Sequence, residues 1–163
     1  MLLEQVLEMA VEAEIEGREL YKMAGEKTSD EKAKKVFKML ADEEQSHIDN
    51  LVEMAKDYKA GKELAMPDLP APASFEDAES PIFTREFKEK VSDFDMSALS
   101  IGMKLELESE RFYKESAEEA TEQPVKELFR HLAEWEHGHY EFLRNQVSFF
   151  ESYYKLKNSL FRF

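Results

Sequence analysis

The chain has 163 residues, enough for a single domain over residues 1–163 with a hydrophobic core of its own. It carries 36 acidic and 22 basic residues, and the net charge of -14 argues against nucleic acids and anionic membranes as partners. The absence of cysteine excludes disulfides, thiolate metal ligands and cysteine nucleophiles. The N-terminal residues lack the pattern of a signal peptide, and no apolar run approaches the ~18 residues of a membrane span, so we expect a cytoplasmic protein.

Helical periodicity, with apolar residues at steps of three and four, dominates the sequence, and strand signals are few. Ser29, followed by two acidic residues, indicates the N-cap of the second helix. The pattern predicts four long helices, over about residues 2–26, 30–60, 96–119 and 123–148.

Short connections join these helices into two antiparallel hairpins, over about residues 2–60 and 96–148. The crossover linker, about residues 61–95, contains four of the five prolines, and a shorter helix is expected within it around 83–91. Another short helix is expected at about 149–160. Four long helices with one long crossover predict an all-α fold, a ferritin-like four-helix bundle with a short C-terminal fifth helix.

The two hairpins form an internal repeat, in which residues 13–51 align with residues 105–143 without a gap. We interpret them as two copies of one helical hairpin, related by a pseudo-two-fold axis. The identical pairs are Glu14/Glu106, Glu16/Glu108, Tyr21/Tyr113, Lys22/Lys114, Glu26/Glu118, Lys34/Lys126, Phe37/Phe129, Leu40/Leu132, Ala41/Ala133, Glu44/Glu136, His47/His139 and Leu51/Leu143.

Ionisable residues interrupt the apolar stripes of these helices. In the second helix, Phe37, Leu40 and Leu51 set out a stripe, and the positions between them are Glu44 and His47. Residues three apart face the same way on a helix, so both side chains are predicted to point toward the core. A buried helix would ordinarily carry Leu or Ile at both positions.

The other three helices show the same interruption. Glu136 and His139 repeat the spacing in the fourth helix, and Glu14 and Glu106 lie on the stripes of the first and third. Four converging carboxylates are costly to bury unless they are protonated or positive charge lies among them. Two divalent cations would neutralise them, and with two imidazoles the donor set suits iron, manganese or zinc.

A single Glu-x-x-His pair is weak evidence for a metal site, because a solvated helix face often contains one. Glu134 and His137 form such a pair off the stripe and are expected to face outward. Glu43 is expected to be a solvated neighbour of Glu44. The metal-site hypothesis therefore depends on the two pairs that share the repeat register and lie on core stripes.

Two tyrosines follow the glutamates of the first and third helices. Tyr21 and Tyr113 lie two turns beyond Glu14 and Glu106, on the same helix face. Each can hydrogen-bond a ligand from the opposite hairpin, or it can be an ordinary core aromatic. The sequence leaves both interpretations open.

Four stretches resemble the ferritin-like domain of the rubrerythrin family: EIEGRELY followed by EEQSH, and ELESERFY followed by EWEHGH. The resemblance covers about residues 5–148. It implies a non-haem centre of two iron ions cycling between Fe2+ and Fe3+, with Mn or Zn able to substitute. It also implies activity toward hydrogen peroxide or dioxygen, and a homodimer. The metal ligands it implies are Glu14, Glu44, His47, Glu106, Glu136 and His139.

The sequence departs from rubrerythrins in two respects. Rubrerythrins proper usually carry a four-cysteine rubredoxin domain, which these cysteine-free residues cannot form, so electrons are expected from an external donor protein. Rubrerythrins also have an additional Glu one turn after the third-helix ligand, used when an iron shifts between ligands. That position is Ser109 here, with Glu108 and Glu110 only nearby, so the resemblance does not extend to redox-linked iron movement.

Three functions are open on these grounds. The leading hypothesis is a di-iron oxidoreductase that removes peroxide or dioxygen. The alternative is a ferroxidase that oxidises ferrous iron for storage or delivery. The third is a structural or interaction module, favoured by the aromatic and mildly basic tail at 149–163. That tail is expected to cap the bundle or line a dimer contact, or else to meet a partner or a membrane surface.

Overall fold

The computed structural model describes residues 2–67, 69 and 93–160, the first two residues of the last range by their backbone alone. The described residues form helices and contain no strand, which confirms the all-α prediction. The predicted helix around 83–91 lies outside the described residues. The four helices are α1 (Leu3–Lys27), α2 (Glu31–Lys59), α3 (Asp93–Glu119) and α4 (Gln123–Leu160).

The ends of α2 show how local chemistry sets the hairpins. The N-cap is Asp30, whose side chain accepts a hydrogen bond from the Ala33 backbone N–H at 2.9 Å. The sequence placed this cap one residue early, at Ser29. At the other end, Gly61 has a φ of +64°, the left-handed conformation that commonly terminates a helix and that glycine adopts without steric cost.

The C-terminal segment differs from the prediction. No break separates residues 149–160 from the fourth helix, and α4 continues to Leu160. The separate fifth helix is therefore not confirmed. The physical reason is that no Gly or Pro follows Gly138 in α4, so nothing stops the helix. Phe150 is buried within this helix, whereas Leu156 and Leu160 are exposed.

The helices pack as two hairpins, α1 with α2 and α3 with α4, and α1 also contacts α3. Two apolar clusters fill the bundle. The Tyr21 cluster includes Tyr21, Phe37, Leu40, Leu99, Phe142, Leu143 and Phe150. The Tyr113 cluster includes Leu7, Leu51, Tyr113, Val125, Leu128, Phe129 and Leu132.

The two clusters divide every helix at the same place. In α1, Leu7 belongs to the Tyr113 cluster and Leu20 to the Tyr21 cluster, and Glu14 lies between them. In α2 the order is reversed, because the helix runs antiparallel to α1, and Glu44 and His47 occupy the gap. The buried ionisable residues therefore form a polar layer across the middle of the core.

In the described part of the chain, none of the helices combines the length and apolar character that crossing a bilayer requires.

Candidate metal centre

The structure brings together all six side chains that the sequence singled out. One comes from α1, two from α2, one from α3 and two from α4, and each residue is at most 3% exposed. They are Glu14, Glu44, His47, Glu106, Glu136 and His139.

The donor atoms form two overlapping groups of four. The first group combines Glu14 and His47 with Glu44 and Glu136, and its atoms lie within 4.8 Å of one another. The second combines Glu106 and His139 with the same Glu44 and Glu136, within the same limit. Each half of the repeat thus supplies one terminal carboxylate, one imidazole and one carboxylate common to both groups.

The His47 ring turns its Nδ1 atom toward the centre of the first group. Nδ1 lies 3.0 Å from Glu14 Oε2, 3.3 Å from Glu44 Oε2 and 3.2 Å from Glu136 Oε1. Because three carboxylates surround Nδ1, this is the nitrogen of the His47 ring that would bind a metal.

His139 has the same orientation in the second group. Its Nδ1 lies 3.3 Å from Glu44 Oε1, 3.5 Å from Glu106 Oε1 and 3.8 Å from Glu136 Oε2. Nδ1 is again the inward atom, so the repeat seen in the sequence becomes a repeat in the geometry of the site.

Two tyrosines tie the hairpins together. The Tyr21 hydroxyl on α1 donates a hydrogen bond to Glu106 on α3, and the Tyr113 hydroxyl on α3 donates to Glu14 on α1. Burial and the nearby carboxylates raise the pKa of both phenols, so both remain protonated donors. Both rings also pack in the apolar clusters, so each tyrosine is a hydrogen-bond donor to a candidate ligand and a core aromatic at the same time.

A glycine makes room for one of these tyrosines. A Cβ atom at Gly102 would lie 3.3 Å from the Tyr21 hydroxyl and 3.1 Å from Leu143. Either neighbour would have to move by a few tenths of an ångström to accept it. Gly102 therefore allows α3 to approach the Tyr21 ring closely enough for its hydroxyl to reach Glu106.

Protons partly neutralise the cluster in the metal-free protein. Burial, with repulsion from Glu44, raises the pKa of Glu14 to about 7, and burial also raises the pKa of Glu136. Burial alone would raise the pKa of Glu44, but hydrogen bonds with Glu14 and both imidazoles lower it to about 2. Burial opposes charging of His47, yet the facing carboxylates raise its pKa to about 10 and also raise the pKa of His139. Cations entering the site would displace these protons.

The donor set fits two divalent cations. Glu44 Oε1 and Glu136 Oε1 are buried, and neither accepts a well-aligned hydrogen bond from the described residues, although an imidazole Nδ1 lies 3.3 Å from the first and 3.2 Å from the second. Buried carboxylate oxygens without a well-aligned donor are costly, and coordination would satisfy them. Four carboxylates and two imidazoles suit iron, manganese or zinc, and the charges of two divalent ions balance those of four carboxylates.

Comparison with known proteins agrees with this geometry. The family model described as Rubrerythrin matches residues 5–147. The chain belongs to the rubrerythrin family. The solved structure of a hypothetical protein from Pyrococcus furiosus is similar to this chain, with a TM-score of 0.69 and 30% sequence identity over 94% of this chain and 92% of that chain. No curated protein matches the chain significantly. The family resemblance and the ferritin-like fold predicted from the sequence are confirmed.

Ser109, where the sequence predicted a departure from rubrerythrins, belongs to neither donor group. Glu110, the next residue, is buried, but it belongs to neither donor group. It accepts a hydrogen bond from Lys114 and lies 3.2 Å from His137 Nδ1. The His137 side chain is 56% exposed, which confirms that the Glu134–His137 pair is not part of the buried site.

The sequence prediction for Glu43 was wrong. Rather than being a solvated neighbour, the Glu43 side chain is only 12% exposed, and its Oε2 lies 2.6 Å from His139 Nε2. Helical periodicity could not reveal this contact, because Glu43 lies beside the stripe and reaches a different helix. The repeat did contain a signal that this position is special. The residue aligned with Glu43 is Trp135, so a carboxylate in one hairpin is replaced by an indole in the other.

Proposed function

We propose that this protein binds two iron ions and reduces hydrogen peroxide or dioxygen, using electrons from an external donor protein. The observation that carries the proposal is the pair of donor groups that share Glu44 and Glu136. A shared carboxylate can bridge two cations, which holds them close enough to act on one small substrate. Membership of the rubrerythrin family supports iron as the metal.

The two donor groups assign each residue a position. Glu14 and His47 would hold one metal, Glu106 and His139 would hold the other, and the shared carboxylates would contact both. A ferrous pair supplies two electrons when bound, the number that converts hydrogen peroxide and two protons into two water molecules.

The protein's own part is to hold and shield the centre. Tyr21 and Tyr113 fix the orientation of the two terminal carboxylates, since each donates a hydrogen bond that a raised pKa keeps in place. The Tyr21 and Tyr113 clusters lie on either side of the polar layer and exclude bulk water along the bundle axis. A small oxidant can reach such a site more readily than a large one.

Anaerobic loading with ferrous iron followed by stoichiometric peroxide tests the proposal. We expect the near-ultraviolet absorption of a carboxylate-bridged diferric pair to appear after the addition. Two histidines provide a matched control, because each follows a Glu by three residues. His139→Ala should abolish the absorption change, whereas His137→Ala, at an exposed site, should leave it intact.

An iron-loaded protein that shows no spectral change with peroxide would overturn the oxidoreductase proposal. Continued oxidation of added iron, well beyond two ions per chain, would instead favour a ferroxidase. Metal analysis of protein purified without oxygen would show whether iron, manganese or zinc occupies the site.

A further inference from the structure

The two histidines of the centre have different surroundings on the side that faces away from it. In the repeat, the residue aligned with Glu43 is Trp135. Glu43 contacts the outward Nε2 of His139, and Trp135 packs against the His47 ring. The repeat is therefore broken at a position that contacts an imidazole of the other hairpin in both copies.

Glu43 and His139 form a carboxylate–imidazole pair. When Nδ1 binds a metal, the remaining ring proton is on Nε2, which becomes a hydrogen-bond donor. Glu43 Oε2 lies 2.6 Å from this atom, so it accepts that proton in a short charge-assisted hydrogen bond. Such a partner fixes the ring orientation and makes the imidazole a stronger metal ligand.

His47 has no comparable support. Its Nε2 is buried and has no hydrogen-bond partner among the described residues, and the same is true of Trp135 Nε1. The centroids of the imidazole and indole rings lie 4.9 Å apart and the ring planes meet at 77°, which is an edge-to-face contact. With Nδ1 on a metal, both nitrogens are donors, so neither can accept a hydrogen bond from the other.

We propose that Glu43 is a positioning residue that makes the metal position at His139 and Glu106 the tighter of the two. The centre then fills in a fixed order, with the position at His47 and Glu14 occupied second. This inference depends on the proposed function only in requiring that the site bind two metal ions. It is independent of the reaction that those ions perform.

The test uses Co2+, added without oxygen, because its scattering edge allows the ion to be located in a crystal. In the unmodified protein with one equivalent of Co2+, we expect anomalous density mainly at the His139 position. Two cations that share carboxylates repel each other, so a two-step titration would appear even for identical positions. The location of the first ion is therefore the deciding measurement.

Glu43→Gln keeps the shape of the side chain and removes its charge. Titration calorimetry should show the first Co2+ binding about 10- to 100-fold more weakly, and the crystallographic preference for the His139 position should disappear. Glu134→Gln is the matched control, because it removes one exposed carboxylate from α4 close to the site. It should leave both the affinity and the order unchanged.

Equal occupancy of the two positions in the unmodified protein, or first occupancy at His47, would overturn the inference. So would a Glu43→Gln variant that keeps the original order. The measurement on the unmodified protein needs no variant and therefore decides the order even if Glu43→Gln fails to fold. Ordered Co2+ binding without any peroxide reaction of the iron form would remove the proposed function and leave this inference standing. Absence of metal binding would remove both.

Discussion

The hairpin of α1 and α2 and the hairpin of α3 and α4 present the same side chains to the centre and differ at other aligned positions. Glu14, Tyr21, Glu44 and His47 in the first hairpin repeat as Glu106, Tyr113, Glu136 and His139 in the second. Both imidazoles turn Nδ1 inward, and both tyrosines reach across to the other hairpin.

Aligned positions close to the candidate ligands in the sequence carry different residues. Arg18 on α1 donates a hydrogen bond to Gln45 on α2 at 2.6 Å, whereas the aligned pair in the other hairpin is Glu110 and His137, 3.2 Å apart. Glu43 is likewise replaced by Trp135. The inner side chains, which form the two donor groups, follow one pattern in both hairpins, while neighbouring side chains have diverged.

The largest expected effect concerns the two shared carboxylates. Glu44→Gln and Glu136→Gln each remove a ligand from both donor groups, so each should lower the metal content from about two ions per chain to less than one. Plasma mass spectrometry after anaerobic loading and desalting measures this. Glu14→Gln and Glu106→Gln, which each affect one group, should retain about one ion.

Equal loss of metal in Glu44→Gln and Glu136→Gln would support the equivalence of the two hairpins at the centre. If one of them kept both metals, the shared role assigned to that carboxylate would be wrong.

The pH dependence of the metal-free protein is the next largest effect. A group with a raised pKa in the folded state stabilises that state below its unfolded pKa, and the stabilisation is lost as pH rises through the folded value. For Glu14 this window runs from 4.5 to about 7, and for His47 from 6.5 to about 10. The melting temperature should therefore fall by on the order of 10 °C between about pH 5 and pH 10.

The metal-loaded protein is the control for this titration, because its ligands no longer hold those protons. Its melting temperature should not follow the same decline, and the gap between the loaded and free forms should widen with pH. His47→Gln and His139→Gln should each remove part of the slope. A flat profile for the metal-free protein would contradict the protonated cluster.

The cross-hairpin tyrosines should have smaller and equal effects. Tyr21→Phe and Tyr113→Phe each leave a buried carboxylate without its donor, which should lower the free energy of unfolding by about 1.5–3 kcal/mol. Urea denaturation of the metal-free protein measures both. Tyr58→Phe, at a partly exposed site, is the control and should change little. Unequal losses would show that the hairpins hold each other to different degrees.

The smallest effect is expected at the Glu110–His137 pair. His137→Gln gives the second hairpin the residue that the first has at Gln45. The His137 side chain is mostly exposed, so the free energy of unfolding should change by less than about 1 kcal/mol. The metal content should stay the same. A loss of metal would show that His137 and Glu110 support the site.

Periodicity and the repeat were enough to identify the six inner side chains, because a helix stripe fixes which residues face the core. They could not identify Glu43 as a partner of His139. That contact depends on how α2 is rotated against α4, which no pattern within a single helix records. The sequence also failed to predict that α4 is continuous. The change in composition near Phe149 suggested a helix boundary, but the backbone has no break there.

The crossed tyrosine bonds have a consequence for how such a molecule could arise. Each hairpin carries a terminal carboxylate whose hydrogen-bond donor lies on the other hairpin, together with a carboxylate that belongs to both donor groups. A lone hairpin could assemble the complete centre only by pairing with a second copy of itself. The bundle has the organisation of a symmetric dimer fused into one chain, and fusion is what allows Glu43 and Trp135 to differ.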